Sequence, residues 1–330
     1  MRRDPSFALV GDIGGTNARF AVADLQGERP AVVLTGAVLC RDHPSLPDAA
    51  QAFLQRAGLA ALPAVATMAV AGPVADGAAR LTNAAWHVSE AELLCMGFSH
   101  ARLVNDFEAL AVGVADLDAG DSRALGPELR GLPQAPVAIT GAGTGFGLAA
   151  LVWGDGARPQ VVSTEGGHVG FAPIDETEIE ILRAFARRHG RVSVERLLSG
   201  PGLVALHQIL GDLMGRSVEP GLTPEEIVAL AGQGEGLCSQ AVERFCGVFG
   251  SVAGDIALTL GARGGVYLAG GLTDGLADWL VRGPFRERFE AKGRLSPYVE
   301  AIPTRLVVQP HTALLGAARL AMALQPQMIV

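Results

Sequence analysis

The chain has 330 residues, a length that suggests two domains or one large one, and 49% of them are hydrophobic but only 5% aromatic. Its formal net charge of -8 argues against a nucleic-acid or anionic-membrane partner, because binding to phosphate backbones needs a basic face. Lys292 is the only lysine, which excludes a P-loop and a protein-kinase strand lysine and argues against Schiff-base chemistry. Any phosphate must therefore be held by backbone amides, hydroxyls, arginine or a metal.

The four cysteines, Cys40, Cys95, Cys238 and Cys246, are widely spaced and form no CxxC motif. This spacing indicates neither a disulfide framework nor a structural zinc site, and we expect buried thiols in a reducing compartment. No apolar segment follows the charged start of the chain, and no run of 18 apolar residues occurs. We therefore expect no signal peptide and no membrane span, and a cytoplasmic protein.

A glycine-rich turn near the start of the chain organises the rest. Apolar residues 7–10 and 20–23 flank a turn of four residues, Gly14, Gly15, Thr16 and Asn17, which predicts a β-hairpin. Glycines let backbone N–H groups approach a polyanion, the two polar residues add donors, and Asp12 can hold a hydrated divalent cation. The turn is a phosphate cradle without a lysine, or else an ordinary hairpin with an exposed Asp12.

Next in order come a third strand, a helix capped by Ser45 and two buried strands, over residues 31–40, 45–57, 65–70 and 101–104. Asn105 and Asp106 then stand between the last of these strands and a helix of small apolar residues, 107–115. Open α/β sheets bind their ligands at such a strand end, and Asp106 is our candidate general base. One of the two residues can instead simply cap the helix, and the two roles are compatible.

Residues 116–136 are rich in Asp, Gly and Pro, which predicts a loop and a domain boundary. Residues 137–153 then repeat the first hairpin, with Gly143, Thr144 and Gly145 in the turn between two apolar strands. No GxGxxG occurs in the chain and the turn leads to a strand, so this is not the dinucleotide-binding fingerprint. Two such hairpins, one in each domain, can grip the phosphates of a nucleotide from opposite sides.

Three further segments carry candidate ligands. Glu165 and His168 share a glycine-containing loop and can together bind several sugar hydroxyls; a solvated turn is the alternative, and the neighbouring segments favour binding. Glu195 begins a helix after Ser193, where a surface role is the commoner one. Residues 266–273 predict a strand followed by a helix that starts at Gly-Gly, where a phosphate or nucleoside can lie against bare backbone. A last helix, 312–323, is expected to return to the first domain.

Seven segments in order make the chain resemble the bacterial glucokinase family, of the hexokinase, sugar-kinase, heat-shock and actin superfamily: residues 9–19, 105–107, 141–145, 165–169, 192–196, 198–203 and 268–271. The resemblance implies the α/β fold of a two-domain actin-like ATPase (ribonuclease H-like) with an interdomain cleft that binds ATP and glucose. It places a small domain at residues 1–116 plus 311–330 and a large one at 117–310. It also implies Mg2+ and a homodimer.

The resemblance further implies a role for each matching position. The sugar ligands would be Asn105, Asp106, Glu165, His168 and Glu195, and Asp106 would also take the proton of the 6-hydroxyl. Asp12 would lie near Mg2+ and bind it through water. The remaining nucleotide-binding positions would be Gly11, Gly14, Gly15, Thr16, Asn17, Gly143, Thr144 and Gly145 at the phosphates and Gly270 and Gly271 at the nucleoside.

Ser163, Thr164 and Gly170 depart from the form usual in the family, Pro-Gly before the Glu and Asp after His-Val. These residues flank the sugar ligands, so the departure bears on sugar selectivity more than on the reaction. The main alternative is therefore a kinase for another hexose or an amino sugar. A sugar-responsive repressor would need a DNA-binding domain and a cysteine-rich zinc motif, and a non-enzymatic actin-like ATPase would lack the convergent set of Glu165, His168 and Glu195.

Overall fold

The structure, a computed structural model, describes residues 3–81, 86–156 and 158–325. The chain divides into two compact units, residues 1–117 with 309–330 and residues 118–308. Within the domains that the sequence predicts, residues 1, 2, 82–85, 157 and 326–330 lie outside the described residues. The two units are described separately below.

The described residues contain thirteen strands and thirteen α-helices. The strands are β1 (Arg3–Ile13), β2 (Asn17–Asp24), β3 (Ala31–Leu39), β4 (Leu62–Val70), β5 (Ala78–Arg80), β6 (His87–Ser89), β7 (His100–Asn105), β8 (Ser122–Ala124), β9 (Val137–Ala142), β10 (Phe146–Val152), β11 (Gln160–Thr164), β12 (Gly265–Leu268) and β13 (Thr304–Val307). The helices are α1 (Leu46–Ala57), α2 (Glu90–Cys95), α3 (Asp106–Ala115), α4 (Glu176–His189), α5 (Val194–Leu197), α6 (Gly200–Leu213), α7 (Pro224–Gly232), α8 (Gly236–Leu260), α9 (Gly271–Gly275), α10 (Ala277–Arg282), α11 (Phe285–Glu290), α12 (Ser296–Glu300) and α13 (Thr312–Leu324). None of the helices described here is long and apolar enough to cross a membrane.

The N-terminal unit is built on a five-stranded sheet with the order β3-β2-β1-β4-β7. Strands β1, β4 and β7 are parallel, and β2 and β3 continue the sheet antiparallel. One face packs Phe20 and Met68 against Phe53 of α1, and the other packs alanines of the sheet against the small residues of α13. Successive side chains of a strand point to opposite faces, and here both sets are apolar, with larger residues toward α1 and smaller ones toward α13. Each face of the sheet therefore has its own buried cluster.

Helices α3 and α13 touch backbone to backbone, and glycine makes this contact possible. A Cβ atom at Gly113 would lie 2.2 Å from the carbonyl oxygen of Thr312, and one at Gly316 would lie 1.8 Å from that of Ala109. No larger residue fits at either position without separating the helices. The contact fixes α3, and with it the strand-to-helix junction that carries Asn105 and Asp106.

The second unit repeats this sheet. Its strand order is β11-β10-β9-β12-β13-β8, in which β9, β12 and β13 are parallel and β10 and β11 are antiparallel. The first five strands therefore follow the arrangement of the N-terminal sheet. The repeat that the sequence indicates for one hairpin extends to the whole sheet. The short antiparallel strand β8 lies within residues 116–136, where the sequence predicts only a loop.

The cysteines differ in one respect from the prediction. All four are free, and Cys40, Cys238 and Cys246 are buried, but Cys95 is exposed. The expectation of buried thiols is wrong for Cys95 because it is the last residue of α2, a helix whose buried side is carried by Leu93.

A buried threonine on β4 gives a test of the core. Thr67 is fully buried on the sheet face that packs against α13, and its hydroxyl has no hydrogen-bond partner among the described residues. A buried unsatisfied hydroxyl costs about 1 to 3 kcal/mol, so Thr67→Val, which keeps the shape, should raise the free energy of unfolding by about 1 kcal/mol.

Thr140 of β9 is the matched control, since it is equally buried but donates to the carbonyl oxygen of Gly147 at 2.8 Å. Thr140→Val should lower the free energy of unfolding by about 1 kcal/mol. Urea denaturation of both variants measures the two changes. A loss of stability in Thr67→Val as large as that in Thr140→Val would mean that the Thr67 hydroxyl has a partner.

Candidate active site

The predicted first hairpin is confirmed, and its turn lies at the carboxyl end of β1. The backbone N–H of Gly14 donates to the carbonyl oxygen of Asn17 at 3.0 Å and closes the turn, while Thr16 and Asn17 are exposed. Beneath the turn, the buried thiol of Cys40 donates to the carbonyl oxygen of Gly14 at 3.3 Å. The exposed side of the turn therefore carries polar side chains on a fixed backbone, as a phosphate cradle requires.

Asp12 stands opposite Arg19 in the β1–β2 register, and Arg19 Nη1 lies 3.3 Å from Asp12 Oδ2. This ion pair involves only one of the two carboxylate oxygens of Asp12, Oδ2. Packing alone explains the glycine at position 11, next to Asp12, because a Cβ atom there would lie 2.5 Å from the sulfur of Met68. The nucleotide-binding role of Gly11 stays a prediction.

The cap and the candidate base are two different residues. Asn105 caps α3, since its Oδ1 accepts from the backbone N–H groups of Phe107 at 2.9 Å and Glu108 at 3.3 Å. Its Nδ2 donates to the carbonyl oxygen of Gly72 at 3.2 Å, which fixes the side chain from both ends. Asp106 is the first residue of the helix and lies outside the cap position. Its Oδ1 also accepts from Phe107 N–H at 3.0 Å, but the N-cap residue is Asn105.

Asp106 has a strongly perturbed carboxyl group. Burial is the largest effect on this group and the negative charge of Asp12 is the second, and together they raise its pKa from 3.8 to about 7. The hydrogen bond from Phe107 N–H favours the ionised form and opposes this rise. Burial also raises the pKa of Asp12, and Arg19 and His311 oppose this. A general base works best when its pKa is near the working pH, so Asp106 suits proton abstraction at neutral pH.

The carboxylates of Asp12 and Asp106 are also relevant to metal binding. Each raises the energy of the other's charge, and Arg19 compensates only Asp12 directly. Carboxylate oxygens are the donors that Mg2+ prefers, and it often binds through one or two carboxylates and retained waters. The donor set therefore fits Mg2+, with Asp12 as the residue to hold it.

The second hairpin is also confirmed, and its turn is braced by a carboxylate. Gly143 N–H donates to the carbonyl oxygen of Gly145 at 2.9 Å, and Gly200 N–H donates to that of Gly143 at 2.8 Å. Phe146 N–H, at the start of β10, donates to Glu195 Oε2 at 2.9 Å. A Cβ at Gly145 would lie 2.5 Å from the same oxygen, so glycine is what lets Glu195 approach. Thr144 is exposed at the tip of the turn.

The structure brings Glu165, His168 and Glu195 together. His168 Nε2 lies 3.8 Å from Glu165 Oε2, and His168 Nδ1 lies 4.0 Å from Glu195 Oε1. The side chains of Glu165 and His168 are 64% and 56% exposed, against 34% for Glu195. One imidazole between two accessible carboxylates gives a set of donors and acceptors for neighbouring hydroxyls.

Backbone pairing holds the two segments of this set in register. Gly170 and Ser193 form an antiparallel bridge, and Val194 N–H donates to the carbonyl oxygen of Val169 at 2.9 Å. Arg191 Nη2 donates to the carbonyl oxygen of His168 at 2.7 Å. The sequence does not predict this pairing, because neither short segment has a strand-like pattern by itself.

Two supporting threonines are not evident from the sequence either. The hydroxyl of Thr164 donates to the carbonyl oxygen of Leu148 at 2.8 Å and accepts from Gly166 N–H at 3.1 Å, on either side of Glu165. The buried hydroxyl of Thr273 accepts from Ala142 N–H at 2.9 Å and so fixes α9 to the end of β9. In the sequence, Thr164 is only a departure from the family pattern, and Thr273 is one more residue of the helix that follows Gly270. Both hydroxyls position backbone that the sequence predicts to bind ligands.

The predicted start of α9 is confirmed. Gly270 is its N-cap residue, with φ at 118°, a conformation that favours glycine. A Cβ at Gly270 would lie 2.9 Å from the carbonyl oxygen of Ala142, so the backbone is closely packed on the end of β9. A Cβ at Gly271 would meet nothing within 4 Å, so this backbone stays accessible to a ligand.

Comparison with known proteins identifies relatives over nearly the whole chain. The family model for Glucokinase matches residues 9–324. A glucokinase from Caulobacter sp. (strain K31) is 50% identical over 311 residues, which cover 94% of this chain and 93% of that protein. These matches confirm the resemblance that the seven sequence segments indicate.

Solved structures confirm the predicted fold. A glucokinase from an Antarctic psychrotroph has a TM-score of 0.83 at 33% identity, covering 96% of this chain and 99% of that chain. A ROK family glucokinase from Streptomyces griseus, in complex with glucose and AMPPNP, has a TM-score of 0.68 over the same shares of both chains. At 21% identity the second likeness shows the fold alone, which is the two-domain actin-like ATPase fold.

The raised pKa of Asp106 predicts a pH-dependent stability. The unfolded chain loses this proton near pH 3.8 and the folded chain near 7, so the folded state is destabilised progressively as the pH rises between these values. Asp106→Asn removes the charge and should gain stability relative to wild type across this window, with a constant gain above it. The difference between these two pKa values is worth at most about 4 kcal/mol, and partial exposure of Asp106 reduces this to about 1 to 2 kcal/mol.

Urea denaturation of the wild type and Asp106→Asn at about pH 4.5, 6 and 8 measures the gain. The gain should be largest at the highest pH and smallest at the lowest. A gain that does not change with pH, or a loss at the highest pH, would show that Asp106 ionises in the folded protein as an ordinary carboxyl group does.

Proposed function

This chain belongs to the glucokinase family, and we propose that it transfers the γ-phosphoryl group of ATP to the 6-hydroxyl of D-glucose, giving glucose 6-phosphate and ADP and feeding glycolysis. The observation that carries the proposal is Asp106, a carboxylate at the carboxyl end of β7 that is not the N-cap residue of α3 and has a pKa of about 7. A base of this kind at a strand end suits removal of a hydroxyl proton at neutral pH.

The sugar ligands in this proposal come from two groups. Asn105 and Asp106 belong to the N-terminal unit, and Glu165, His168 and Glu195 to the second. Their side chains include amide, carboxylate and imidazole groups, which can accept from and donate to several hydroxyls of one sugar. The contacts among Glu165, His168 and Glu195 support a common role for these three.

The nucleotide in this proposal contacts backbone more than side chains. The residues at the phosphates are Gly11, Gly14, Gly15, Thr16, Asn17, Gly143, Thr144 and Gly145, and those at the nucleoside are Gly270 and Gly271. Asp12 holds Mg2+ through water, and the bound ion supplies positive charge that offsets the charge of the phosphate oxygens. The exposed turn residues and the pair of carboxylates, Asp12 and Asp106, support these assignments.

Catalysis of this reaction depends mainly on positioning the two substrates and on stabilising charge, because the phosphoryl group passes through a loose transition state. Asp106 in its ionised form accepts a hydrogen bond from the 6-hydroxyl. It takes the hydroxyl proton as the oxygen bonds to the γ-phosphorus and the bond between that phosphorus and the bridging oxygen breaks, so that this oxygen leaves with ADP. The proton then leaves Asp106 for solvent when the product is released. Backbone amides of the two turns, with the Thr16 and Thr144 hydroxyls, donate to the phosphate oxygens in place of a lysine.

A kinase for another hexose or an amino sugar is the second candidate. The observation that favours it is Thr164, whose hydroxyl shapes the backbone on both sides of Glu165 where the family usually has another residue. Coupled measurement of ADP release over a panel of hexoses and amino sugars decides between the two. Glucose should give the highest kcat/KM, and ADP release with none of the sugars would instead indicate a sugar-sensing regulator.

The proposal includes a homodimer acting in the cytoplasm. The proposed phosphoryl transfer does not depend on the dimer or on the location. Sedimentation velocity at micromolar protein concentration tests the dimer, and fractionation of the source cells tests the location.

Removal of the proposed base should slow turnover without loss of folding. Asp106→Asn keeps the size of the side chain but cannot take the proton, and loss of a general base costs roughly 10² to 10⁴ in rate. We expect kcat at saturating glucose and ATP to fall at least about a hundredfold while glucose binding weakens only moderately.

Glu108→Gln is the matched control, since it removes a carboxylate from the same helix turn and leaves Asp106 in place. This control should keep kcat within about threefold of wild type. If purified Asp106→Asn keeps more than about a tenth of wild-type kcat, the base must be Glu165 or Glu195 instead.

The two hairpin turns should act on the nucleotide and not on the sugar. Thr16→Ala and Thr144→Ala each remove one hydroxyl donor to a charged oxygen, a loss of about 1.5 to 3 kcal/mol. Each variant should therefore raise the KM for MgATP by about tenfold or more, with glucose binding in the absence of nucleotide unchanged. Calorimetry with glucose and steady-state kinetics with ATP measure the two effects.

Thr35→Ala on the exposed face of β3 is the control for loss of a surface threonine. This variant should leave both constants unchanged. An equal loss of glucose affinity in Thr16→Ala and Thr144→Ala would mean that the turns contribute to the sugar site.

A further inference from the structure

A cluster of three side chains in the second unit can hold a metal. His207 lies in α6, Glu235 is the N-cap residue of α8, and Cys238 is in the first turn of α8. One ligand atom from each residue lies within 4.8 Å of the other two, and this is the one such group of three among the described residues. His207 and Cys238 are buried, whereas Glu235 is partly exposed.

The spacing of the two buried atoms fits tetrahedral coordination. Cys238 Sγ and His207 Nε2 are 3.5 Å apart. Zn2+ binds thiolate sulfur at about 2.3 Å and imidazole nitrogen at about 2.0 to 2.1 Å, so tetrahedral geometry separates these two atoms by about 3.5 Å. Cys238 Sγ and His207 Nε2 are thus already spaced as two ligands of one ion. Without a metal, the same distance allows a hydrogen bond between the thiol and the imidazole.

Glu235 provides the third ligand from the partly exposed side. One of its oxygens, Oε2, accepts from Cys238 N–H at 2.6 Å, and this bond keeps the carboxylate over the first turn of α8. The other, Oε1, lies 3.7 Å from Arg216 Nη2, a long ion-pair distance that a metal can replace. Water can reach this side, so a fourth ligand can come from solvent.

The donor set selects the class of metal. One sulfur, one nitrogen and one carboxylate oxygen suit Zn2+, a borderline-soft ion, and do not suit Mg2+ or Ca2+, which take oxygen ligands. Other first-row ions bind the same set, and among those of comparable ligand preference Zn2+ accepts tetrahedral geometry without electronic cost. This site is therefore distinct in chemistry from the carboxylates Asp12 and Asp106.

We propose that His207, Glu235 and Cys238 form a Zn2+ site that joins α6 to the start of α8. The first residue of α6, Gly200, donates its N–H to the carbonyl oxygen of Gly143 in the second hairpin turn at 2.8 Å. The ion would hold α6 seven residues further along and so steady the helix that supports this turn. Its role is structural and requires no part in phosphoryl transfer.

This site has no local signature in the sequence because its ligands are dispersed. A structural zinc site is predicted from paired cysteines at CxxC spacing, and none occur. Here Glu235 and Cys238 have an i, i+3 spacing at a helix start, and the third ligand lies 31 residues away from Cys238 on another helix. Only the packing of α6 on α8 brings them together.

The test is metal binding by the full-length protein, with a readout that does not use enzyme activity. The protein is stripped with chelator, and Co2+ is added first as a spectroscopic probe, followed by Zn2+ in competition. We expect one Co2+ per chain with tetrahedral d–d bands and a thiolate-to-metal charge-transfer band, and full displacement by one equivalent of Zn2+. Zn2+ at about a hundred times its Kd should raise the Tm by about 5 °C.

Cys238→Ser and His207→Gln should each weaken Zn2+ binding at least about a hundredfold and abolish the Tm increase. Cys95→Ser, which removes the exposed thiol, and Cys246→Ser, which removes another buried thiol of α8, are the controls and should bind as wild type does. Circular dichroism establishes that each variant is folded before the titration, and the wild-type Co2+ spectrum tests the proposal even if Cys238→Ser does not fold.

Three results would overturn the proposal. The first is the absence of a thiolate-to-metal band in the wild type. The second is Zn2+ binding that Cys95→Ser removes and Cys238→Ser retains, which would mean that the metal binds an adventitious surface thiol. The third is undiminished binding by His207→Gln. None of these results affects the proposed kinase activity, whose test is ADP release.

Discussion

The hydrogen bond from Phe146 N–H to Glu195 Oε2 joins the proposed sugar-binding and phosphate-binding segments of the second unit. Its acceptor is a proposed sugar ligand, and its donor follows directly on a proposed phosphate turn. The chain has a single lysine, whose ammonium group is held by Asp255 and the carbonyl oxygen of Ser251, so the proposed phosphate contacts come mainly from backbone amides, with hydroxyls and Mg2+. A backbone site is useful only if the turn keeps its shape, and Glu195 and Gly200 fix this one from two sides.

The same requirement explains why close backbone contacts recur. Gly141 approaches the carbonyl oxygen of Ala269 so closely that a Cβ would lie 1.5 Å away, and a Cβ at Gly167 would lie 2.1 Å from that of Phe146. These glycines let β9 approach the segment between β12 and α9, and let the loop of Glu165 and His168 approach the start of β10, without intervening side chains. In the N-terminal unit, Gly113 and Gly316 do the same for α3 and α13. Glycine is therefore required where backbone packs behind the proposed binding residues, as well as in the two proposed phosphate-binding turns.

The features predictable from the sequence are local ones. Both hairpins, a helix cap at Asn105 or Asp106, and the helix after Ser193 follow from residue types within a few positions of each other. The bridge between Gly170 and Ser193 and the hydrogen bond to Glu195 join residues more than twenty positions apart, and no local pattern encodes them. Strand β8 escapes prediction for a related reason, because three residues among turn-forming neighbours gain strand geometry only by pairing with β13.

Asp106 shows why a candidate base can be inferred from position but its strength cannot. Burial is the largest cause of its raised pKa, and the charge of Asp12 is the second. Arg19 can compensate the charge of Asp12, but it does not alter the burial of Asp106, so most of the shift persists. Hydrogen bonds from the backbone N–H groups of Phe107 and Asp106 and from the Asn105 side chain act in the opposite direction and lower the pKa, but they do not outweigh burial and the charge of Asp12. Desolvation is thus the main reason for the basicity of Asp106, and the same desolvated charge destabilises the folded state progressively as the pH rises from 3.8 to about 7.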